Sequence, residues 1–438
     1  MTTRRMDLAA MKRAARRTDD RMMKWLVILF QMTSMLLLTF KNSEAIDQQA
    51  LILAGVMPAA TLLVLNGIPR IWKVDRVLLT MVLFLCSVSI VTLTAIARSS
   101  VTPLTQAFYI CAGFVAMIIG IVFVRKVKNW RRWIMPLMVF SLILIALPLV
   151  IGSWKNGAKT WIGIERNGET LISIQPSEFV KVTLMIVLAG CLSARQSRLQ
   201  TFAAVAFGAI LCCVLLLERD LGALLLYFFT TIILYFLATS NLFVTAAGLG
   251  AGAVGAVGAY YMFDYVKTRI AIWQNPWLDP DDSGFQIIQA LVAIGSGGWS
   301  GMGLGLGLPR NIPLYHSDFI YAAICEEFGF VFALLLLAVY VIMIMRGISI
   351  AMSARSSFHA LLAFGIVTMI GLQTLLIVGG NIRLIPLTGV VLPFVAAGGS
   401  SMVSCMGAVG LLLGISSLNA DADAEDIRRA EWQEGRPA

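Results

Sequence analysis

Twelve apolar stretches set the terms for this chain: residues 25–41, 49–68, 77–97, 106–124, 134–152, 178–194, 201–217, 221–238, 242–262, 318–345, 358–380 and 389–417. A helix needs about 17–25 mostly apolar residues to cross a bilayer. Backbone polar groups find no water in lipid, so runs of this length can span only as helices. The expected fold class is an all-α polytopic membrane protein of about 12 transmembrane helices. Composition agrees, with 59% of residues hydrophobic and 13% charged, against about 45–50% and about 25% in soluble domains. A soluble enzyme, a disordered chain and a disulfide scaffold are excluded on that basis.

The formal charge of +10 comes from 34 Lys and Arg against 24 Asp and Glu. In a membrane protein that excess reads as topology and not as a nucleic-acid footprint. With the N-terminus inside, 23 of the 34 basic residues fall in inside segments. The positive-inside rule then puts both termini in the cytoplasm. Residues 1–24 read as a basic cytoplasmic arm, 25–152 as the first spans, 153–417 as the main body and 418–438 as a solvated acidic tail. Seven cysteines lie in apolar runs without CxxC spacing, and His316 and His359 are the only histidines. Neither a disulfide framework nor a metal centre is expected, and no cofactor.

Two segments too polar to span, 153–177 and 263–317, land outside in this topology. Loops this long are functional or disordered, and their tryptophans and glycines argue for order. In the first, Asn167-Gly168 between alternating apolar residues predicts a small hairpin, because a tight type I′ turn needs positive φ at both positions. Short helices are expected in the second, with an apolar helix-like stretch around Gln286–Ile294.

Ionisable residues cluster where these loops meet the spans. Glu178 and Lys181, three apart on one helix face, either pair as an interfacial anchor or serve a site, since charges at membrane depth are costly. Glu218-Arg219-Asp220 is an acid–base–acid cluster or simply a polar turn. The run Gly295–Gly307 either presents amides to phosphate oxygens or packs closely. Asp318 follows His316 and opens a span, as a helix cap or as a base tuned by burial. Glu326 and Glu327 lie about 12–14 Å deeper by helical rise.

Taken together these segments resemble the SEDS family of membrane proteins, the group of FtsW, RodA and SpoVE. The matching pieces are Asn156–Trp161, Gln175–Lys181, Asp220-Leu221-Gly222, the Gly295–Gly307 run, His316–Ile320, Glu326–Gly329, Pro386–Gly389, Leu392-Pro393-Phe394 and Gly398–Ser401, in family order over about residues 150–417. Glu218-Arg219 stands where the family has Gln-Pro, and Ala396-Ala397 where a Ser-Tyr pair is common. Five spans precede the Lys159 loop where the family has three, which implies a ten-helix core with two extra N-terminal spans.

The resemblance implies a peptidoglycan glycosyltransferase that polymerises lipid II, a polyprenyl-pyrophosphoryl disaccharide-pentapeptide, at the outer face of a bacterial cytoplasmic membrane. A lipid II flippase and a non-catalytic scaffold of wall synthesis are the alternatives. It implies a class B penicillin-binding protein transpeptidase as partner, with membrane lipid around the bundle and no nucleic acid. By motif position Asp318 is the catalytic residue. Lys159, Trp161, Glu178, Lys181, Asp220, Arg269 and His316 are the expected substrate-binding residues; the cations among them either hold the pyrophosphate or organise the acids. No metal ligands are visible, which leaves room only for a loosely held divalent cation on the pyrophosphate.

Overall fold

The computed structural model describes residues 2–41, 47–97, 101–155, 157–166, 169–193 and 197–434. Five helices come first: α1 (Thr2–Thr39), α2 (Gln48–Ile71), α3 (Arg76–Ile96), α4 (Val101–Lys126) and α5 (Arg131–Ile151). A small sheet follows, β1 (Ser153–Lys155), β2 (Ala158–Arg166) and β3 (Glu169–Ile174). Then come α6 (Pro176–Ser193), α7 (Arg198–Leu217), α8 (Leu221–Thr239), α9 (Leu242–Met262), α10 (Asp264–Gln274) and α11 (Phe285–Gly297). The chain ends in α12 (Ile320–Met352), α13 (Ser357–Asn381) and α14 (Gly399–Glu434). All but α10 and α11 include a stretch long and apolar enough to cross a membrane, which makes 12 spans among the described residues.

Helices α3, α6, α13 and α14 form the centre, while α5 and α9 turn almost entirely outward. Small residues let the central backbones touch: a Cβ on Gly410 would lie 2.2 Å from the Met117 carbonyl oxygen of α4. Without a hydrophobic drive between helices in lipid, such close packing is what holds spans together. At the N-terminal edge, Gln31 Nε2 of α1 donates to Thr61 Oγ1 of α2 at 2.8 Å and Ser87 Oγ of α3 at 2.6 Å. One buried amide thereby fixes the first two helices onto the third.

The sheet is antiparallel in the order β1-β2-β3, with Ile162 opposite Ile174 and Arg166 opposite Glu169. The Asn167-Gly168 turn lies outside the described residues, and β1 is an additional strand. The residues from Arg21 to Lys24, expected in a separate arm, continue α1 without a break.

Two expectations are corrected. The last span does not begin at residue 389. Residues 389–398 are a non-helical loop with Gly389 at φ +76° and Phe394 at φ +64°, and the helix starts only at Gly399. Gly and Pro break the helix here, while Leu392, Phe394 and Val395 bury in the core and so keep hydropathy high. Irregular backbone at membrane depth survives only where protein satisfies it. Gln373 Nε2 donates to Val391 O at 2.9 Å and the Tyr340 hydroxyl to Pro393 O at 2.5 Å. The acidic tail is likewise not a free end: α14 runs on through it. Asp421 meets Arg125 at 2.9 Å and Lys73 at 3.5 Å, Arg355 reaches Asp423 and Asp426, and Asn419 Nδ2 donates to Ile350 O at 2.9 Å.

The glycine-rich run also resolves as packing. Helix α12 is broken at Gly329, φ +83°, and the loop before it lies against the break. Met302 N–H donates to Glu326 O at 2.8 Å, Gly303 N–H to Glu327 O at 3.2 Å and Phe330 N–H to Gly298 O at 2.9 Å. Glu326 Oε1 accepts from Leu308 N–H at 2.9 Å, and Glu327 Oε2 accepts from Gly305 N–H. The two glutamates hold this loop, and the Met302, Gly303, Gly305 and Leu308 amides are spent on them.

Replacing Gly329 by Ala puts a Cβ 2.3 Å from Gly301 N and strains a positive φ, so we expect a loss of at least ~1–3 kcal/mol. Gly55→Ala, in open space on α2, is expected to be neutral or slightly stabilising. Paired thermal melts in detergent check the contrast.

Candidate functional site

A cavity of about 590 Å³ opens at the end of the bundle that carries the sheet. Four helices begin around it: α6 through Glu178, α8 through Asp220, α12 just after Asp318, and α14 through Ser400 and Ser401. Its lining also includes Trp161 of β2, Arg269 of α10 and His316. Helix starts carry orphan amides and the positive end of the macrodipole, so their convergence favours an anion.

Of the three cavity carboxylates, two are already engaged. Glu178 forms an ion pair with Lys181 and accepts from Ser404 Oγ at 3.1 Å. Asp220 caps α8, accepting from Ala223 N–H at 2.9 Å, from Gln175 Nε2 at 3.2 Å and from Ser177 Oγ at 3.4 Å. Asp318 has a lighter set of partners, with the Ser317 hydroxyl beside it and the Arg269 guanidinium within electrostatic reach. Burial pushes the Asp318 carboxyl above its ordinary range, and those two neighbours partly offset the rise. Burial raises Asp220 as well, and its amide bonds and Arg269 oppose that. Arg269 therefore serves both acids, and its Nη1 also lies 3.4 Å from the Leu387 and Thr388 carbonyl oxygens.

Backbone contacts fix where Asp318 stands. Asn381, fully buried at the end of α13, donates from Nδ2 to Asp318 O at 2.8 Å and accepts from Ala322 N–H at 3.2 Å. Ala397 N–H donates to His316 O at 2.9 Å, so the 389–398 loop grips the same segment. Burial lowers the His316 pKa, which keeps the ring neutral near pH 7.

The cavity thus gathers Trp161, Glu178, Asp220, Arg269, His316 and Asp318, and it does not include Lys159 or Lys181. Lys181 is buried beneath it against Glu178, with Gln373 Oε1 at 3.3 Å and Cys405 Sγ at 3.4 Å. Of the two readings weighed for it, pairing with the acid is the one that matches this position. Lys159 Nζ donates to Leu149 O at 2.7 Å, and its N–H to Glu218 O at 3.0 Å, which fastens the sheet to the bundle. Arg219, Gln175, Ser400 and Ser401, which the sequence offered only within a polar cluster and matching motifs, also line the cavity, and Asn381, not singled out there, stands behind it. A buried asparagine closing an apolar run was the available signal for Asn381. The serines were hidden inside the overlong last span. Among the described residues no three His, Cys, Asp or Glu side chains gather as a metal site.

Comparison with known proteins gives consistent relatives. The sequence model of the FtsW, RodA and SpoVE type, described as cell cycle protein, matches residues 69–420. Stage V sporulation protein E of Bacillus subtilis is 37% identical over 314 residues, 68% of this chain and 83% of that protein. Peptidoglycan glycosyltransferase RodA of Mycobacterium tuberculosis is 33% identical over 318 residues, 68% of this chain and 67% of that protein. A solved structure described as the structural coordination of polymerization and crosslinking by a peptidoglycan synthase complex superimposes with TM-score 0.67 at 25% identity, covering 79% of this chain and 98% of that one.

Beside the cavity, Glu218 is raised to about 8 by burial and by the charge of Asp220. A carboxyl that holds its proton to about pH 8 when folded, but only to about 4.3 when unfolded, contributes stability below that lower value. The contribution is lost as pH rises through the folded value. Glu218→Gln is therefore expected to raise the melting temperature more at pH 8 than at pH 5; equal shifts at both would contradict this.

Proposed function

Because the chain belongs to the FtsW/RodA/SpoVE family of cell cycle proteins, we propose that its cavity is where a lipid-linked sugar pyrophosphate is polymerised. The protein is a multi-pass membrane peptidoglycan glycosyltransferase. The observation that carries the site assignment is one lightly engaged carboxylate, Asp318, facing a cavity ringed by four helix starts and Arg269.

The substrate is lipid II. The acceptor GlcNAc 4-hydroxyl attacks the anomeric carbon of the donor MurNAc, whose α-linked pyrophosphate departs with the bonding electron pair. A β-1,4 product requires inversion, so one displacement suffices. The 4-hydroxyl proton goes to the Asp318 carboxylate as the new C1–O4 bond forms. The pyrophosphate is a good leaving group and takes its charge stabilisation from Arg269 and the helix starts. No second carboxylic acid is needed, unlike in glycoside hydrolases. Trp161 offers an aromatic face to a sugar ring, and His316 lies beside the base. Glu178, held by Lys181, and Asp220, held by its cap, shape the wall. A pocket of this volume suits a pyrophosphate with one or two sugars, and the polyprenyl tails lie in the surrounding lipid.

In this reading the sheet and α10–α11 face outward and both termini lie in the cytoplasm, as the basic residues require. A class B penicillin-binding protein transpeptidase crosslinks the strands. The likeness to a synthase complex that joins polymerization and crosslinking supports such a partner. No cofactor is assigned, and a divalent cation, if used, rides on the pyrophosphate.

Incubation of the purified protein with lipid II, alone and with a class B transpeptidase, should yield glycan strands resolvable by length. Asp318→Asn is expected to lower the rate by at least ~10²-fold while lipid II binding persists. Because burial raises the Asp318 pKa and the base works deprotonated, the acid limb of the rate profile should lie above the free aspartate value of about 3.9. Near-normal synthesis by the variant removes Asp318 from this role. A cysteine placed at exposed position 281 should react with an impermeant reagent only from outside intact cells; labelling only from the cytoplasmic side reverses the topology.

A further inference from the structure

At the opposite end of the bundle a second cavity, of about 320 Å³, lies between the starts of α5 and α13 and the end of α6. It is separated from the catalytic cavity by the 18 residues of α6, or about 27 Å. Trp130 and Phe358, stacked with ring centroids 4.2 Å apart, hold the two helix starts together. Gly190 lets α6 close against α5, where a Cβ would come within 2.7 Å of Ile134.

The polar lining is one-signed. Lys128 and Arg131 border the cavity together with Ser193, Ser356 and Ser357, and no Asp or Glu does. Acids at this end are committed elsewhere: Asp421 to Arg125 and Lys73, Asp75 to Arg346, and Asp423 and Asp426 to Arg355. Lys128 and Arg131 form none of the ion pairs found among the described residues. Two unpaired cations in a concavity concentrate potential in a way that scattered surface charges do not. Neither α5 nor α13 has a side-chain cap on its first turn, so amides add to the same field.

The depth of the cavity decides what fills it. Arg131 and Ser357 each open a membrane span, so the cavity stands at headgroup level. Trp133, half exposed, is placed as an interfacial anchor. Below it Met135, Val139, Phe140 and Ile143 of α5 are exposed and apolar. A phosphate above and a hydrocarbon track below describe a phospholipid. We propose that this cavity binds an anionic glycerophospholipid, its phosphate between Lys128 and Arg131 and an acyl chain along the exposed face of α5. Basic pockets between spans are suited to such headgroups, and each cation near an anionic headgroup contributes about a fivefold change in affinity.

The test is native mass spectrometry of the full chain in detergent, titrated separately with phosphatidylglycerol, phosphatidylcholine and inorganic phosphate. Phosphatidylglycerol should be retained in preference to phosphatidylcholine. Lys128→Gln with Arg131→Gln should weaken its binding about 30-fold, with an unchanged melting temperature. The charge-conserving pair Lys128→Arg and Arg131→Lys should keep it. Equal retention of the two lipids, or full phosphatidylglycerol affinity in a well-folded Gln double variant, overturns the proposal. So does saturable binding of inorganic phosphate that phosphatidylglycerol fails to displace, which makes the cavity a free-anion site. Should the Gln pair unfold, loss of lipid by the charge-conserving pair at native stability also counts against it. None of these readouts depends on glycan polymerisation.

Discussion

A polar group that ends inside a bilayer must find its partner within the protein, and the candidate cavity exists because several helix starts meet that demand with one another's side chains. Asp220 caps α8 and is itself held by Gln175 and Ser177 from the start of α6. The Tyr227 hydroxyl of α8 donates back to Ser177 O at 2.5 Å. Ser400, at the start of α14, accepts from Gln175 N–H at 3.1 Å. Three helices from distant parts of the sequence are thereby locked at one level. Breaking one partner leaves a buried group unsatisfied, at a cost of about 1–3 kcal/mol. Preorganised dipoles in a low-dielectric rim are also what stabilise developing charge, so in the proposed reaction stability and catalysis would draw on the same bonds.

Much of this was legible in the sequence, and the failures have physical causes. Span number and boundaries come from hydropathy, which measures transfer into an apolar phase. The break at Leu217–Leu221 was readable because Glu218, Arg219 and Asp220 are costly there. Residues 389–398 misled because burial inside protein and burial in lipid give the same hydropathy. Only Pro393, Gly389 and the Gly398-Gly399 pair carried the opposite signal. Glu326 and Glu327 could not be assigned from spacing. Their role as acceptors for the glycine loop depends on Gly329 breaking α12, a backbone event that periodicity does not encode. Lys159 and Lys181 had the right chemistry for phosphate, but which atoms a cation reaches is a matter of tertiary placement.

The first two helices show the same logic outside the family match, which begins at residue 69. Beyond the Gln31 contacts, Phe30 stacks near Phe332 at 6.0 Å, and Phe332 on Phe328 at 4.4 Å, so an aromatic column runs from α1 to the break in α12. Lys41, just after α1, donates to Ala95 O at 3.4 Å and packs against Gly305, whose amide Glu327 holds. Arg310 adds Nε and Nη2 bonds to Ile96 O and Ala97 O at 3.1 and 2.9 Å. Helix α1 and the end of α3 thus brace the loop that delivers His316 and Asp318.

The three cavity acids separate by what already binds them. Glu178 has a lysine and Asp220 has an amide cap. Asp318 shares with Asp220 only the more distant charge of Arg269, while burial works the other way. In the proposed reaction, a pyrophosphate engaging Arg269 would bring two negative charges toward the guanidinium and offset its field at Asp318. The Asp318 carboxylate would then be a stronger base with the donor bound, and such coupling needs no moving part. It would follow from one arginine standing by both the proposed leaving group and the proposed base. An apolar cavity with a single untethered carboxylate would be a stronger base but would repel the pyrophosphate it must face. A capped, a paired and a lightly engaged acid share this pocket with Arg269.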